Sequence, residues 1–401
     1  MNWLKIVLLT AGYLILASVI AEYFVAHNVM VNGDFFTFWG GGKLVSAGRN
    51  PYDPAEWLAV HQAAGSTWLE NPTFVYPLPV AVLFVPLSKL SVNLAATIWL
   101  FFCQVFLLGS IILTALAVKW TRAKVFIPFL VLGAAFFRPT LVTMTNGQMS
   151  GLLLLATAAA AYFWSRRQWF WGGAVISLLV LKPTAALFFL PAAGFWMLWR
   201  REWKGLIGMG TMLALLWAVG AVMQPGWLAD FIAIGQWKVT MTWGVTYPPT
   251  IWGWMAYLTN LTPNWQVYAG IIAFGGMGLG MWLALRAARA DQWLMMIGVV
   301  MPLALIAAPY LWNYDQVILV VPILVIASLV DQTGRSFAVV ALLPIMVDLL
   351  AVALFVLARY LNHDAWGLLL PIFVVIIFGG VSSYIQKNRE KPIANFNQLK
   401  S

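Results

Sequence analysis

The stretch FAVVALLPIMVDLLAVALFVLA, residues 337–358, is apolar throughout except for the single carboxylate of Asp348. A helix of about 20 such residues spans the hydrocarbon core of a bilayer, which is roughly 30 Å thick. Comparable runs recur along the chain, since 62% of its 401 residues are hydrophobic and only 9% are charged. A soluble domain has about 25% charged residues. The composition therefore excludes a soluble enzyme, a disordered chain and a nucleic-acid-binding domain.

The apolar runs predict an all-α fold, a polytopic transmembrane helix bundle with about 12 spans. They are long and continuous, whereas a transmembrane β-barrel shows short alternating segments. The whole chain, 1–401, is expected to form one integral membrane domain. A further run, 80–87, is too short to cross and is interpreted as juxtamembrane or as an extension of the next span. The predicted spans are 4–25, 93–118, 125–142, 149–165, 169–183, 184–199, 205–223, 266–285, 293–309, 316–330, 336–358 and 366–386.

Basic residues mark one side of the predicted bundle. Most of the 23 Lys and Arg residues lie in every second short loop between predicted spans. Because cytoplasmic loops carry an excess of these residues, both termini and the tail 387–401 are expected in the cytoplasm of a cell-membrane protein. The long loops 26–76 and 224–265 then lie on the external side, together with His27, His61 and His363. The first apolar run is long enough to be an uncleaved helix rather than a signal peptide.

The first external loop contains two carboxylates with different expected roles. Asp34 precedes a stretch in which aromatic residues recur at helical spacing, so an interfacial helix is expected with its aromatics in the headgroup layer. Asp34 is interpreted either as the N-cap of this helix or as a general base at the membrane surface. Asp53 precedes Pro54, and this order is typical of an N-cap followed by the first helical residue.

Further polar residues lie at the ends of the predicted spans. Lys182 is the most costly residue to place near lipid and is therefore a functional candidate, with snorkelling as the alternative. Arg138 has the same two interpretations. Asn146 and Gln148 flank a turn glycine at an external span end. The sequence has one cysteine, Cys103, and no cluster with the spacing of metal ligands, so neither a metal nor another cofactor is expected.

The hairpin 309–315 is polar and aromatic and lies between two predicted spans on the external side. Tyr310, Asn313 and Asp315 are its candidate substrate-binding residues. The alternative interpretation is an interfacial aromatic belt, with Asp315 as a helix cap.

Several of these motifs occur in a characteristic order. They are Asp34-Phe-Phe-x-Phe-Trp with Gly48-Arg-Asn-Pro-Tyr-Asp-Pro, Tyr76-Pro-x-Pro with Pro86-Leu, Gly147-Gln148, Leu181-Lys182-Pro183, and Pro309-x-x-Trp-x-Tyr-Asp. The order resembles glycosyltransferase family 87, a GT-C-type group that includes bacterial α-1,2-mannosyltransferases using polyprenyl-phosphate mannose. The resemblance implies a GT-C-like helix bundle with a catalytic Asp in the first external loop, at Asp34. Many members carry a histidine in the segment matching 309–315, where this chain has Tyr310 and Asn313.

The resemblance implies transfer of a sugar, most simply mannose, from a polyprenyl-phosphate donor to a lipid or glycan acceptor at the external face. The expected chemistry is an inverting displacement with Asp34 as the base, while Lys182 and Arg138 stabilise the leaving phosphate. The expected partners are these substrates and membrane lipids, with no nucleic acid. A secondary transporter or lipid flippase is the alternative, although no internal repeat is evident. A transferase of another sugar would have the same sequence features.

Overall fold

The structure is a computed structural model, and it describes residues 12–13, 15–16, 19–23, 30, 33–66, 73–245, 247–289 and 291–389. Within these ranges the protein is all-helical and contains no strand. Short 3₁₀ helices cover Ser177–Leu181, Asn313–Leu319 and Asp364–Leu368, and a π-helical turn covers Met296–Val300. The α-helices are α1 Asp34–Ser46, α2 Pro54–Ala63, α3 Leu78–Ser88, α4 Val92–Ala117, α5 Ala123–Phe136, α6 Arg138–Thr145, α7 Ser150–Ser165, α8 Trp169–Ile176, α9 Pro183–Ala186, α10 Phe189–Trp199, α11 Trp203–Met223, α12 Trp227–Val245, α13 Ile251–Leu258, α14 Trp265–Arg286, α15 Gln292–Met295, α16 Met301–Ala307, α17 Val320–Gln332, α18 Phe337–Tyr360 and α19 Leu369–Arg389.

The helix lengths support fewer membrane crossings than the sequence predicts. Six helical segments in the described residues are long and apolar enough to cross alone, and the bent pair α5–α6 would be a seventh. The other predicted spans form shorter apolar helices. Proline or irregular helical turns interrupt 169–183, 184–199 and 293–309, whereas Ser150–Ser165 is a single helix of 16 residues. Most of the first predicted span, 4–25, lies outside the described residues. Helix length and composition therefore do not show 12 crossings.

Residues 169–199 form a helical hairpin that is folded against α11. Its first arm ends at Leu181, Lys182 lies at the tip, and Pro183 starts the returning arm. The aromatic rings of Trp169 and Trp196 pack edge-to-face 5.4 Å apart, so the hairpin begins and ends at the same end of the bundle. The chain therefore reverses direction between the predicted spans 169–183 and 184–199.

Glycines allow the hairpin to approach α11 at backbone distance. A Cβ on Gly173 would overlap the carbonyl of Gly205, and a Cβ on Gly208 would overlap the carbonyl of Phe170. Such small-residue contacts are a common means of packing helices in membranes, where the hydrophobic effect contributes little to helix association. The tip of the hairpin, with Lys182, is therefore held in place by close backbone packing.

Helix α1 is buried in protein along most of its length, which corrects the expectation of aromatics in the headgroup layer. Phe35 and Phe38 are completely buried, and Trp39 is 7% exposed. The helix lies against α3, where a Cβ on Gly42 would meet the Phe84 carbonyl at 2.9 Å. The glycines after Trp39 thus serve close packing between two helices. Helix α3 is separate from α4, so the run 80–87 is not an extension of the next span.

The loops that the sequence assigns to opposite sides lie at opposite ends of the described bundle. Lys119, Arg167, Arg200 and Arg289 line one cavity, and we call this the arginine-rich end. Lys182 and the loops that contact it lie at the other end, as the next subsection describes. The alternation of basic loops therefore agrees with the packing of the helices.

Candidate active site

A buried ion pair stands at the centre of the site. Lys182 Nζ lies 2.5 Å from Asp315 Oδ1, and the two residues are 3% and 0% exposed. Asp315 also accepts hydrogen bonds from the Ser150 hydroxyl at 2.5 Å and from the Trp312 backbone N–H at 3.1 Å. Three donors therefore surround the Asp315 carboxylate, as a buried charge requires. Lys182 does not snorkel towards solvent, and Asp315 combines the expected helix capping with the pairing of this cation.

Gln148 extends the site beyond the ion pair. Its Oε1 lies 3.4 Å from Lys182 Nζ, so the amide presents its oxygen to the cation and turns its NH₂ group the other way. Gln148 is completely buried, and its Nε2 makes no hydrogen bond of acceptable geometry to any residue that the structure describes. Its interaction with the Tyr76 hydroxyl is therefore poorly oriented, and such a buried donor costs free energy that a well-placed substrate oxygen would recover. Gln148 is therefore a candidate binding residue.

Tyr76 connects this buried group to Asp34. Burial raises the pKa of the Tyr76 hydroxyl well above its usual value, and the charges of Asp34 and Asp315 raise it further, while the Gln148 amide opposes the shift. Tyr310 also raises the pKa of this hydroxyl. Tyr76 thus remains a neutral phenol and a hydrogen-bond donor at physiological pH. The fold brings together five of the residues that the sequence selects, namely Asp34, Gln148, Lys182, Tyr310 and Asp315.

Asp34 is the first residue of α1 and is not its N-cap. The N-cap position is occupied by Gly33, which has no side chain to accept a hydrogen bond. The carboxylate still lies in the first turn, where the helix dipole favours a negative charge. Asp34 is partly exposed, in contrast to the enclosed Asp315. Asp34 therefore occupies the first helical position rather than the N-cap expected from the sequence, and the residue is not enclosed by protein.

A turn between α6 and α7 fixes the start of α1. The backbone carbonyl of Asn146 accepts a hydrogen bond from the Phe35 N–H at 3.0 Å. Gly147 adopts a φ of +63°, and a Cβ there would lie 2.7 Å from Phe35 Cβ. The Gly147 carbonyl accepts a hydrogen bond from Trp99 Nε1 at 2.8 Å. Asn146 therefore contributes its backbone to the site and positions Asp34.

Three other titratable groups of the first loop, Asp53, Glu56 and His61, have structural contacts. Asp53 caps α2 as expected, since its Oδ1 accepts hydrogen bonds from the Ala55 and Glu56 N–H groups at 2.7 and 3.2 Å. Glu56 forms an ion pair with Arg49 at 2.6 Å. His61 is 1% exposed, and its Nδ1 lies 2.8 Å from the Trp57 carbonyl. Burial lowers the pKa of His61, so it is a neutral core residue.

Arg138 and Asn313 belong to a neighbouring cluster rather than to the buried ion pair. The Arg138 guanidinium stacks on Phe355, 3.6 Å from the ring centre. Asn313 Nδ2 donates a hydrogen bond to Asp364 Oδ1 at 3.2 Å. Both residues line a cavity of about 10 Å³, which has room for about one water molecule. Arg138 is thus packed against aromatic surface, and the structure does not bring it to Lys182.

The remaining polar candidates fall outside the site. His363 is 7% exposed and packs against Tyr257, with ring centres 3.9 Å apart. Asp348 lines a small apolar cavity with Gly133, between α5 and α18. His27 lies outside the described residues. Among the described residues, no three His, Cys, Asp or Glu side chains come together as metal ligands would.

Comparison with known proteins identifies the family. The model of glycosyltransferase family 87 matches residues 74–309, which is more than half of the chain. The chain belongs to glycosyltransferase family 87. No curated protein and no solved structure matches it significantly. Membership makes the protein a glycosyltransferase, and the apolar helices make it a membrane protein with a sugar donor and an acceptor as substrates.

The match to family 87 contains Tyr76, Gln148 and Lys182 but neither Asp34 nor Asp315. Sequence reasoning did not select Tyr76, Tyr314 or Ser150, although both tyrosines stand in motifs that it used. Tyr314 lies under the Lys182 ammonium, with Nζ 4.4 Å from the ring centre. Tyr314 stands between Asn313 and Asp315, which was an available signal, whereas Tyr76 stands in an apolar, proline-rich segment that gives none. Ser150 gave no signal of a role in the site, because a serine at the start of a helix is usually a cap.

Proposed function

We propose that the protein transfers a sugar, most simply mannose, from a polyprenyl-phosphate donor to a hydroxyl of a lipid or glycan acceptor. The observation that carries this proposal is the position of Asp34. Its carboxylate lies beside Tyr76 and the buried group of Gln148, Lys182 and Asp315, at the end of the bundle opposite the arginine-rich end. Arginine-rich loops are cytoplasmic as a rule, and this supports an external position for the site. Soluble nucleotide sugars are absent from that face, so a donor carried by the membrane fits.

In the proposed reaction, Asp34 is the general base. It takes the proton of the acceptor hydroxyl while the acceptor oxygen attacks the anomeric carbon. The bond between that carbon and the phosphate oxygen breaks on the opposite face, so the configuration inverts and polyprenyl phosphate leaves. A base must be reachable by the substrate, and Asp34 is partly exposed, whereas Asp315 is enclosed by three donors.

The departing phosphate needs hydrogen-bond donors that are in place before the reaction. The Gln148 NH₂ group and the hydroxyls of Tyr76 and Tyr310 are such donors. Lys182 acts mainly through Gln148, because its ammonium is neutralised by Asp315 and holds the amide oxygen at 3.4 Å. Arg138 packs on Phe355, so we give it no role in binding the phosphate.

Asp34→Asn tests the base directly. The change keeps the size and polarity of the side chain and removes its ability to accept a proton. Turnover with saturating donor and acceptor is expected to fall by about 10²–10⁴-fold, the usual contribution of general-base catalysis. The assay uses purified protein, radiolabelled mannose linked to polyprenyl phosphate, and a panel of lipid and glycan acceptors.

Asp53→Asn is the matched control, because Asp53 is a carboxylate of the same loop with a purely structural role. Asparagine is about as good an N-cap as aspartate, so activity and stability are expected to stay unchanged. Wild-type turnover by Asp34→Asn would reject Asp34 as the base. Consumption of a nucleotide sugar in place of the lipid-linked sugar would reject the proposed donor.

A further inference from the structure

The arginine-rich end contains a large cavity that the proposed reaction does not use. Its volume is about 660 Å³, within the range of about 300–1,000 Å³ that is typical of small-molecule sites. It forms where the end of α4 meets the α7–α8 turn, the α10–α11 turn, the start of α15 and the end of α17. Five separate parts of the chain therefore build one concave surface, far along the sequence from Asp34.

The charges that line this cavity are mostly positive. Its cations are Lys119, Arg167, Arg200 and Arg289, and its acids are Glu202 and Asp291. Arg200 pairs with Glu202 at 3.5 Å, whereas Arg167 and Arg289 form no ion pair with any residue that the structure describes. An excess of a single charge sign in a concave site attracts ligands of the opposite charge.

Arg200 is held in a fixed orientation at the wall of the cavity. One of its terminal nitrogens donates hydrogen bonds to the Arg289 carbonyl at 2.6 Å and to Gln292 Oε1 at 2.9 Å. Its guanidinium also stacks on Trp169, 5.0 Å from the ring centre. Its Nε–H is buried and has no hydrogen-bond partner in the described part of the chain. A guanidinium that is held in one orientation at a cavity wall is well suited to bind an oxyanion through its terminal N–H groups.

The neighbouring cations repel the positive charge of Arg200. Burial lowers the pKa of its guanidinium, Glu202 opposes this effect, and the positive charges of Arg289 and Arg167 lower the pKa further. Three arginines therefore lie near one another, and of these only Arg200 forms an ion pair with a carboxylate that the structure describes. A bound anion would relieve this repulsion.

We infer that this cavity is a binding site for a phosphate-bearing ligand, either the headgroup of an anionic phospholipid or a soluble phosphate compound. Phosphate matches the planar donor fork of arginine, and the site combines three arginines with cavity walls of tryptophan. Both sources present the same anionic oxygens, and the cavity has room for more than a bare phosphate. The inference does not depend on the reaction proposed for Asp34, because it concerns the other end of the bundle.

Binding can be measured on the purified full-length protein in uncharged detergent. The probes are dihexanoyl phosphatidic acid and glycerol phosphate, with dihexanoyl phosphatidylcholine and an equal ionic strength of chloride as references. We expect phosphatidic acid to bind saturably and to raise the thermal unfolding midpoint above both references. If glycerol phosphate does the same, the ligand is a soluble phosphate; if it does not, the ligand is a lipid. No saturable binding of either probe would overturn the inference.

Two sets of variants separate a specific site from general positive charge. Arg167→Gln and Arg289→Gln change exposed side chains and are expected to weaken binding about fivefold each, since a basic residue near an anion contributes about that factor. Arg286→Gln is the matched control, because Arg286 lies at the same end on Trp282 and does not line the cavity. Equal weakening by all three variants, or by none of them, would overturn the inference.

Arg200→Lys adds a test within the site. Lysine keeps the positive charge and loses the planar fork and the Nε–H donor. We expect binding to weaken at least tenfold, while a cooperative thermal unfolding transition and an unchanged gel-filtration profile in the absence of ligand show that the variant is folded. Binding as tight as that of the wild type would overturn the role assigned to the Arg200 guanidinium.

Discussion

One helical segment, residues 313–332, carries an ion pair at each of its ends, and the two pairs differ in their surroundings. At its start Asp315 pairs with Lys182, and the two side chains are 0% and 4% exposed. At its end Asp331 pairs with Arg122 at 2.8 Å, and the Arg122 side chain is 50% exposed. Asp331 also accepts a hydrogen bond from Trp120 Nε1 at 2.9 Å. The segment is the most buried of the candidate spans, with 89% of its apolar window inside the protein.

The two ion pairs differ in how strongly they constrain the residues around them. A pair closed off from solvent must satisfy every donor and acceptor within the protein, and this fixes the positions of Gln148 and the surrounding tyrosines. A pair with a half-exposed arginine is screened by water and constrains its surroundings weakly. The site end is therefore rigid and preorganised, and the arginine-rich end is open.

The two ends are expected to lie on opposite sides of the membrane. Because basic loops are retained in the cytoplasm, reporter fusions near residues 121, 203 and 395 should all give a cytoplasmic signal. Fusions near residues 55, 245 and 362 should give the opposite signal. A cytoplasmic signal at residue 55 would place Asp34 on the side of the nucleotide sugars and would remove the reason for a lipid-linked donor.

Lys182→Met is expected to have the largest effect on stability. It keeps the length of the side chain but leaves Asp315 as a buried, uncompensated carboxylate, which costs about 3–5 kcal/mol. The free energy of unfolding in mixed micelles measures this loss. The double variant Lys182→Met/Asp315→Leu should recover most of it, since both charges are gone. A single variant as stable as the wild type would mean that Asp315 is neutral or solvated.

Arg122→Gln is expected to have a much smaller effect, about 1 kcal/mol or less, because half of the Arg122 side chain is already in solvent. The same unfolding measurement applies. Lys124→Gln, in the same basic loop, is the control and should leave stability unchanged. A loss as large as that of Lys182→Met would show that the two ends are equally dependent on their ion pairs.

Much of the architecture was predictable because apolar runs and basic loops follow simple rules. The helix boundaries of α4, α14 and α18 fall within a few residues of the predicted spans. The number of crossings was not predictable in this way. The run 169–183 ends in a 3₁₀ turn at Lys182, and the run 125–142 bends by 61° before Arg138, so apolar composition overstated the number of straight spans.

The candidate site was predictable residue by residue but not as a set of contacts. The cost of burying Lys182 and the position of Asp315 each indicated a functional or structural role. Their pairing joins residues that are 133 positions apart, and no local pattern encodes such a contact. The role of Arg138 was overestimated for the same reason, since its stacking on Phe355 depends on tertiary packing. Asp34 is not the N-cap because the helix starts one residue earlier than expected, so that Gly33 occupies the N-cap position.

The glycine contacts between α8 and α11 also bear on how the protein is made. The two arms of the hairpin 169–199 are shorter than the about 20 residues that cross a bilayer stably, and a lysine lies between them. Neither arm is long enough to be held stably in the membrane by contacts with lipid alone when it leaves the ribosome. Helix α11 is synthesised later and offers Gly205 and Gly208 as the surface on which the hairpin packs. We therefore expect the hairpin to become stable in the membrane only after α11 has been inserted.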